Sequence, residues 1–269
     1  MEAYCEKERT CLTTMLVDKM DFPAHFHEGL ELLYNQDEGA RVYVDKESRV
    51  MKRGDLAVMF SNSVHTYQPS DGPVQGKGIL VLCPLALTGE YQKIVSEMAP
   101  VDPFVKAEDL HPDVVYALEA LAKSASGEEE PNPRAERALV HLILGRILKN
   151  LELRRNSSPD DLVHRMIDMV AGSFREPISL EDVAERLGAS RYTLSRLFAN
   201  RLGCGFNEYL NRIRTEEAET LLRDTDLPIT EVWCRSGFET SRTFNRAFKR
   251  YHGCTPRDFR KAERQVKKK

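Results

Sequence analysis

No stretch of this sequence is apolar enough to cross a bilayer. The longest apolar run, Ile79–Leu87, is interrupted by Pro84, whereas a spanning helix needs about 20 apolar residues. The opening segment MEAYCEKERT is charged and lacks an apolar centre. No secretory signal is therefore expected; the protein is read as cytoplasmic and without a membrane partner. The six cysteines (Cys5, Cys11, Cys83, Cys204, Cys234 and Cys254) contain no C-x-x-C pair. Reduced thiols are expected, with a redox pair of Cys5 and Cys11 left open. A large surplus of one charge is also missing, since 39 Lys and Arg face 42 Asp and Glu. The isoelectric point alone therefore says nothing about a nucleic-acid partner, and the placement of charge has to carry that argument.

The placement is uneven. Residues 1–158 hold 18 basic and 25 acidic side chains, a net −7, and residues 159–269 hold 21 and 17, a net +4. At 269 residues, 41% apolar and 30% charged, the chain has the composition of a soluble globular protein with room for two domains.

The basic half contains one device twice. SRYTLSRLFANRLGCGFNEY (Ser190–Tyr209) matches TSRTFNRAFKRYHGCTPRDF (Thr240–Phe259) at a constant offset. The pairs are Ser190/Thr240, Thr193/Thr243, Arg196/Arg246, Phe198/Phe248, Gly203/Gly253, Cys204/Cys254 and Tyr209/Phe259. A short apolar-periodic segment ending in glycine precedes each copy: Leu180–Gly188 and Ile229–Gly237. In the first, Leu180, Val183, Ala184 and Leu187 share one helical face. Gly188 suits the positive φ of a tight turn, and Ser190 and Thr240 suit N-caps. Leu194, Leu197, Phe198 and Leu202 are expected inside, as are Phe244, Ala247, Phe248 and Tyr251. The opposite faces, with Arg191, Tyr192, Ser195 and Arg196 and with Ser241, Arg242, Thr243, Asn245, Arg246 and Lys249, are expected in solvent. A short helix, a glycine turn and a capped basic helix spell a helix-turn-helix, whose arginines can pair the two acceptors of a guanine edge. The alternative is an arginine-rich solvated face, which would have no need of the device twice.

SLEDVAERLGASRYTLSRLF and the segment from Gly237 to Arg260 (Gly237, Phe238, Phe244, Arg246, Phe248, Lys249, Gly253, Pro256, Arg260) resemble the double helix-turn-helix of the AraC/XylS transcription regulators. The resemblance covers roughly the last hundred residues. It implies two recognition helices joined by a linking helix, here Asn207–Arg223, each entering one of two successive major grooves of double-stranded DNA. By matched position the base contacts fall on Arg191, Tyr192, Ser195, Arg196, Ser241, Arg242, Thr243 and Arg246. Trp233, the single tryptophan, stands where the family usually has a small residue. An indole there must displace a helix or replace a neighbour's volume.

From about Met15 to Leu87, short apolar and β-branched runs (Leu30–Tyr34, Arg41–Val44, Asp55–Phe60, Ile79–Cys83) alternate with turn signals at residues 37–39, 53–55 and 70–73. That pattern predicts an antiparallel sandwich or barrel. PAHFHEGLELLYN, Gly39 and KRGDLAVMFSNSVHTYQP resemble the cupin-like sensor half common among the same regulators. His25, His27, Glu31 and His65 have the order H-x-H-x3-E…H of a metal-binding cupin. Three uses stay open for them: a polar effector pocket (the preferred one), histidines that only satisfy polar groups at the barrel mouth, and a metal site. No metal or other cofactor is assigned. Tyr43 and Tyr67 are candidates to line the pocket, with plain sheet packing as their alternative.

Helices are expected at His111–Ser124 and Arg134–Leu153, around an acidic loop at Ser126–Pro133. The apolar face of the second helix reads as a dimer seam ahead of plain core. Arg154–Asp160 has linker composition, Asp161–Phe174 opens the C-terminal domain, and the terminal lysines are a basic tail that touches phosphates or is merely solvated. The expected fold is multi-domain α+β: a cupin-like β-barrel with trailing helices, then an all-α double helix-turn-helix. The expected domains are a sensor (1–108), a helical dimerisation segment (109–153), a linker (154–160) and a DNA-binding domain (161–269). The expected function is transcription regulation, activation ahead of repression, by a homodimer that answers a small-molecule effector, with RNA polymerase as a further candidate partner. It is not read as an enzyme. The rivals are a cupin metalloenzyme tethered to DNA and a constitutive DNA binder with no effector.

Overall fold

A computed structural model of the chain describes residues 11–18, 20–37, 39–69, 77–156 and 161–266. Cys5, the turn at 70–73, the 157–160 part of the expected linker and the terminal lysines lie outside the described residues. The chain divides into two compact units between His164 and Arg165.

The first unit holds β1 (Thr13–Val17), β2 (Phe22–His25), β3 (Leu30–Asn35), β4 (Ala40–Val44), β5 (Glu47–Met51), β6 (Leu56–Met59), β7 (His65–Pro69) and β8 (Gly78–Cys83). After them come α1 (Gln92–Glu97), β9 (Met98–Pro100), β10 (Phe104–Val105), α2 (Pro112–Ser126), α3 (Pro133–Ile147) and β11 (Leu153–Arg155). The strands form a five-stranded sheet ordered β1-β8-β3-β6-β10 and a four-stranded sheet ordered β2-β7-β4-β5, with β9 and β11 as a separate pair. Neighbouring strands run antiparallel throughout. The antiparallel sandwich or barrel expected from the sequence is thus built from two sheets.

Burial follows from this layering. Leu33, Ala57 and Met59 of the first sheet pack with Ala40, Val42, Val44, Met51 and Tyr67 of the second. The other face of the first sheet, with Leu30, Leu32, Val58 and Val81, packs on Val114, Leu118, Leu121, Val140, Ile143 and Ile147 of α2 and α3. β3 and β6 are covered on both faces, which is why LELLYN and LAVM are nearly continuous apolar runs and ARVYV of β4 alternates. Each leucine or isoleucine so buried contributes about 1.5–3 kcal/mol. The acidic loop between α2 and α3 is bounded by Gly127 in the left-handed region at φ 78° and by Asn132, whose side chain caps Pro133–Ile147.

Two boundaries differ from expectation. Residues 109–153 are not a separate segment, because α2 and α3 complete the core of the first unit. The apolar stripe of α3, read as a dimer seam, is spent on that core. The helix also ends at Ile147, and Leu153–Arg155 pairs with β9, so the start of the expected linker is a strand.

The second unit is all helical. α4 (Leu162–Ser173) carries the dividing point of the two units, and α5 (Leu180–Leu187), α6 (Arg191–Arg201), α7 (Phe206–Asp224), α8 (Ile229–Arg235), α9 (Ser241–His252) and α10 (Pro256–Val266) follow. The long α7 connects the two helix-turn-helix pairs. Its Ala218 and Leu222 pack with Val232, Phe238, Phe244, Ala247 and Phe248, while Phe198 meets Phe206 and Tyr209 ring to ring. Trp233 is half-buried and packs against that cluster, so the indole adds volume at its edge.

Candidate nucleic-acid interface and buried sensor cluster

The two hairpins are built by matched local chemistry. Ser179 and Asp182 form a reciprocal capping box at the start of α5, and Gly188 ends it at φ 63°. Ser190 accepts from the Thr193 N–H at 3.0 Å, and Thr240 accepts from the Thr243 N–H at 3.2 Å. Leu194 and Phe198, then Phe244 and Phe248, are fully buried. That leaves Arg191, Tyr192, Ser195, Arg196, Ser241, Arg242 and Arg246 exposed and Thr243 half-buried.

These outward residues are not equivalent. Arg191 pairs with Glu181 at 3.0 Å. The Arg196 guanidinium lies over the Tyr192 ring at 5.7 Å. Among the described residues Arg196, Arg242 and Arg246 have no carboxylate partner. Thr243 matches Thr193, and each hydroxyl is engaged with its capping hydroxyl, at 2.9 and 2.8 Å. By the fifty-residue offset, Ser195 corresponds to Asn245, which is exposed on α9. Asn245 therefore belongs with the outward set, and Thr243 stands one turn inside α9, bonded to the Thr240 cap. The signal was the offset itself, applied to every position.

In the first unit, β2 and β7 set His25 opposite His65, and β7 and β4 set His65 opposite Val44. Residues directly opposed across a ladder share a face, so His25 and His65 look into the space between the sheets. Glu31 enters from β3 and His27 from the short connection before it. All four are between 1% and 7% exposed, and their nearest ligating atoms lie within 4.8 Å of one another. Glu31 Oε2 is 2.8 Å from His27 Nε2, 3.3 Å from His65 Nε2 and 3.9 Å from His25 Nε2. The Tyr67 hydroxyl donates to Glu31 Oε1. His25 Nδ1 donates to the Pro23 carbonyl at 3.0 Å, and His65 Nδ1 donates to the Ser63 carbonyl at 2.8 Å.

Burial alone raises the Glu31 carboxyl, but the nearby His65 and the hydrogen bonds from His27 and His65 outweigh it and hold the group well below its ordinary value. Burial likewise lowers His65, and the Glu31 charge more than reverses this, leaving it raised. His25 stays well below the ordinary histidine value, through burial first and His65 second. The Glu31 carboxylate and the His65 imidazole thus favour each other's charged form inside the unit.

Of the residues expected to line a pocket, Tyr43 is the exception. It pairs with Thr66 and Ser48, on the face of the second sheet opposite to Val42 and Val44. Tyr67 takes the place beside the cluster instead. The four ligating atoms lie within 4.8 Å of one another. Three imidazoles and a carboxylate do fit a divalent transition ion. A separate cavity of about 470 Å³ lies at the end of α3, lined by Phe104, Val114, Arg146, Ile147 and Leu151; nothing in the spacing of those residues announced it.

A helix-turn-helix domain family matches residues 183–262. An uncharacterized HTH-type transcriptional regulator of Staphylococcus aureus (strain MRSA252) is 38% identical over 101 residues, which cover 38% of this chain and 14% of that protein. The chain thus spans a small part of the first curated relatives it matches. The HTH-type transcriptional activator RhaR of Salmonella arizonae is 26% identical over 262 residues, covering 91% of this chain and 89% of RhaR. The crystal structure of ToxT from Vibrio cholerae superposes with a TM-score of 0.55 at 15% identity, over 94% of this chain and 98% of that one, and so shares the fold. Residues 183–262 thus carry a helix-turn-helix domain, and along most of its length the chain is similar to the transcriptional activator RhaR.

Proposed function

We propose that this protein binds double-stranded DNA sequence-specifically and regulates transcription, with α6 and α9 entering successive major grooves. The observation that supports this best is Arg196 and Arg246. They occupy the same position in the two hairpins, both are exposed, and neither has a carboxylate partner among the described residues. A guanidinium so placed can pair both acceptors of a guanine, while neighbouring cations meet phosphates and make affinity fall with salt. Tyr192, 71% exposed, adds an aromatic face at the same end of α6.

RhaR is named an activator, and activation is the output proposed here, with RNA polymerase as a further partner. A homodimer is also proposed. Since the apolar stripe of α3 is core, pairing would use the outer side of α2, where Tyr116 is 66% exposed. The first unit would answer an effector by favouring one conformation over another. The rival reading as a metalloenzyme needs a coordination position open to substrate, and the burial of all four cluster residues weighs against it.

Selection of bound fragments from the host genome, followed by affinity measurements on the recovered site, tests the proposal. A shared motif in two blocks about 10 base pairs apart is expected. Binding with no sequence preference would overturn it.

A further inference from the structure

We propose that the cleft between α10 and the start of α8 binds a phosphate group, with Arg257, Arg260, Lys261 and Arg264 as its cationic lining. None of these residues belongs to the outward set of α6 and α9, so the site is separate from the recognition residues above.

The first argument is the lining. Thr255 accepts from the Asp258 N–H at 3.2 Å and so caps α10, and Phe259 packs into the hydrophobic cluster, edge-on to Phe248 at 5.5 Å. Arg257, Arg260, Lys261 and Arg264 then recur at three- and four-residue spacing along one face of the helix. With Ile229 of α8 and Gln265 they line a cavity of about 370 Å³. An apolar ligand meets a single aliphatic side chain there, so the cleft is built for an anion.

The second argument is the balance of charge. Among the described residues Arg257 and Lys261 have no carboxylate partner. Arg264 pairs with Asp226, which is 90% exposed, and an ion pair so open to water is weak. Positive charge at the cleft therefore exceeds the negative charge that answers it.

The third argument is Arg260, which is only 9% exposed. Its Nη1 donates to the Leu227 carbonyl at 2.6 Å and so fixes the plane of the guanidinium. Nε and Nη2 are buried and have no hydrogen-bond partner among the described residues. Those two groups form one edge of the guanidinium, the edge that pairs two oxygens of an oxyanion at once. Donors left unpaired inside a protein are costly. Burial first, and the like charge of Arg264 second, disfavour the Arg260 cation; a bound anion offsets both. A carboxylate spends both its oxygens on the fork, whereas a phosphate keeps further oxygen for the neighbouring cations.

The test uses the full chain at low salt, with inorganic phosphate as probe and acetate as comparator. The Arg260 Nε–H signal is followed by NMR, assigned as the one missing from Arg260→Lys. Phosphate is expected to shift that signal at about one equivalent and to bind at least about tenfold more tightly than acetate. The double variant Arg257→Ala, Lys261→Ala changes only exposed side chains. Once circular dichroism shows it folded, it is expected to bind phosphate at least about tenfold more weakly. Arg186→Ala, at an exposed cation of α5, is expected to change nothing. Phosphate no tighter than acetate overturns the site, and so does undiminished binding in the double variant. Should Arg260→Lys not fold, the comparison of phosphate with acetate on wild type still decides.

A second arm separates the two sources of such a group, the backbone of a nucleic acid and a free phosphate compound. Duplex carrying the selected site is added, at a concentration where it is bound, to protein saturated with phosphate. Release of phosphate assigns the cleft to the DNA backbone, and retention assigns it to a free phosphate or phosphate monoester; both keep the site. The first arm contains no DNA, so failure of the DNA-binding reading would show separately.

Discussion

The guanidinium of Arg191 stands 3.0 Å from the carboxylate of Glu181, so an acid of α5 holds the first cation of α6. Both side chains are mostly in water, 71% and 56% exposed, and such a pair contributes only about 0.2–1 kcal/mol. A phosphate can compete for Arg191 on those terms. Glu181→Gln is expected to raise DNA affinity about two- to fivefold at low salt, with the gain shrinking as salt rises. Titration at two ionic strengths checks this. Weaker binding would mean that Glu181 positions Arg191 for DNA instead of withholding it.

Arg196→Ala and Arg246→Ala are each expected to cost about 1–3 kcal/mol of binding and to relax preference at particular base positions. Thermal stability is expected to stay put, since neither side chain is buried. Binding to a panel of single-base variants of the site is the measurement. A uniform loss on every sequence would reassign these arginines to phosphates.

Gly188 and Gly237 occupy the same turn in the two hairpins, at φ 63° and 84°, but alanine should not cost the same at both. Around Gly188 no atom lies within 4 Å of an added Cβ, whereas at Gly237 that Cβ would stand 2.4 Å from the Phe174 carbonyl oxygen and 2.7 Å from Arg175 Cα. Gly188→Ala carries only the backbone penalty, about 1–2 kcal/mol. Gly237→Ala adds a clash with main chain, for roughly 2–5 kcal/mol. Urea denaturation of the two variants separates the terms, and equal losses would disprove the close approach at Gly237.

Burial pushes the Cys83 and Cys204 thiols up to about 12, while Cys11 and Cys234 are exposed. Alkylation goes through the thiolate. At pH 8, iodoacetamide is expected to label Cys11 and Cys234 at least about 100-fold faster than Cys83 and Cys204. Raising the pH toward 12 should narrow the gap, and denaturant should abolish it. Mass spectrometry of timed digests reads the rates; rapid labelling of Cys204 in native protein would show that burial does not hold its thiol up.

Legibility differed between the units for a local reason. Helix caps, glycine stops and the apolar rows of the hairpins are set by neighbours within four residues, so Ser190, Thr240, Leu194 and Phe248 could be placed by spacing. The expected linking helix Asn207–Arg223 is found at Phe206–Asp224. In the first unit the strands expected from apolar runs are β3, β4, β6 and β8, which are rich in buried residues. ESRVM of β5 and HTYQP of β7 have no such run, because β5 is an edge strand and β7 carries polar groups toward the space between the sheets. α3 was expected to reach Leu153 because Leu148, Leu151 and Leu153 keep an apolar rhythm after Ile147, where the chain has already turned toward β9.

From its order of residues alone the chain determines two capped basic hairpins, their repeat and the set His25, His27, Glu31, His65. Those features depend on short-range hydrogen bonds and side-chain period. The folded chain decided which members of that set meet, that Tyr67 and not Tyr43 stands beside them, and that residues 60–64 join His65 to His164. Each of these depends on strand register, where a slip of one residue sends every side chain to the other face, and register is settled by packing between segments far apart in the chain.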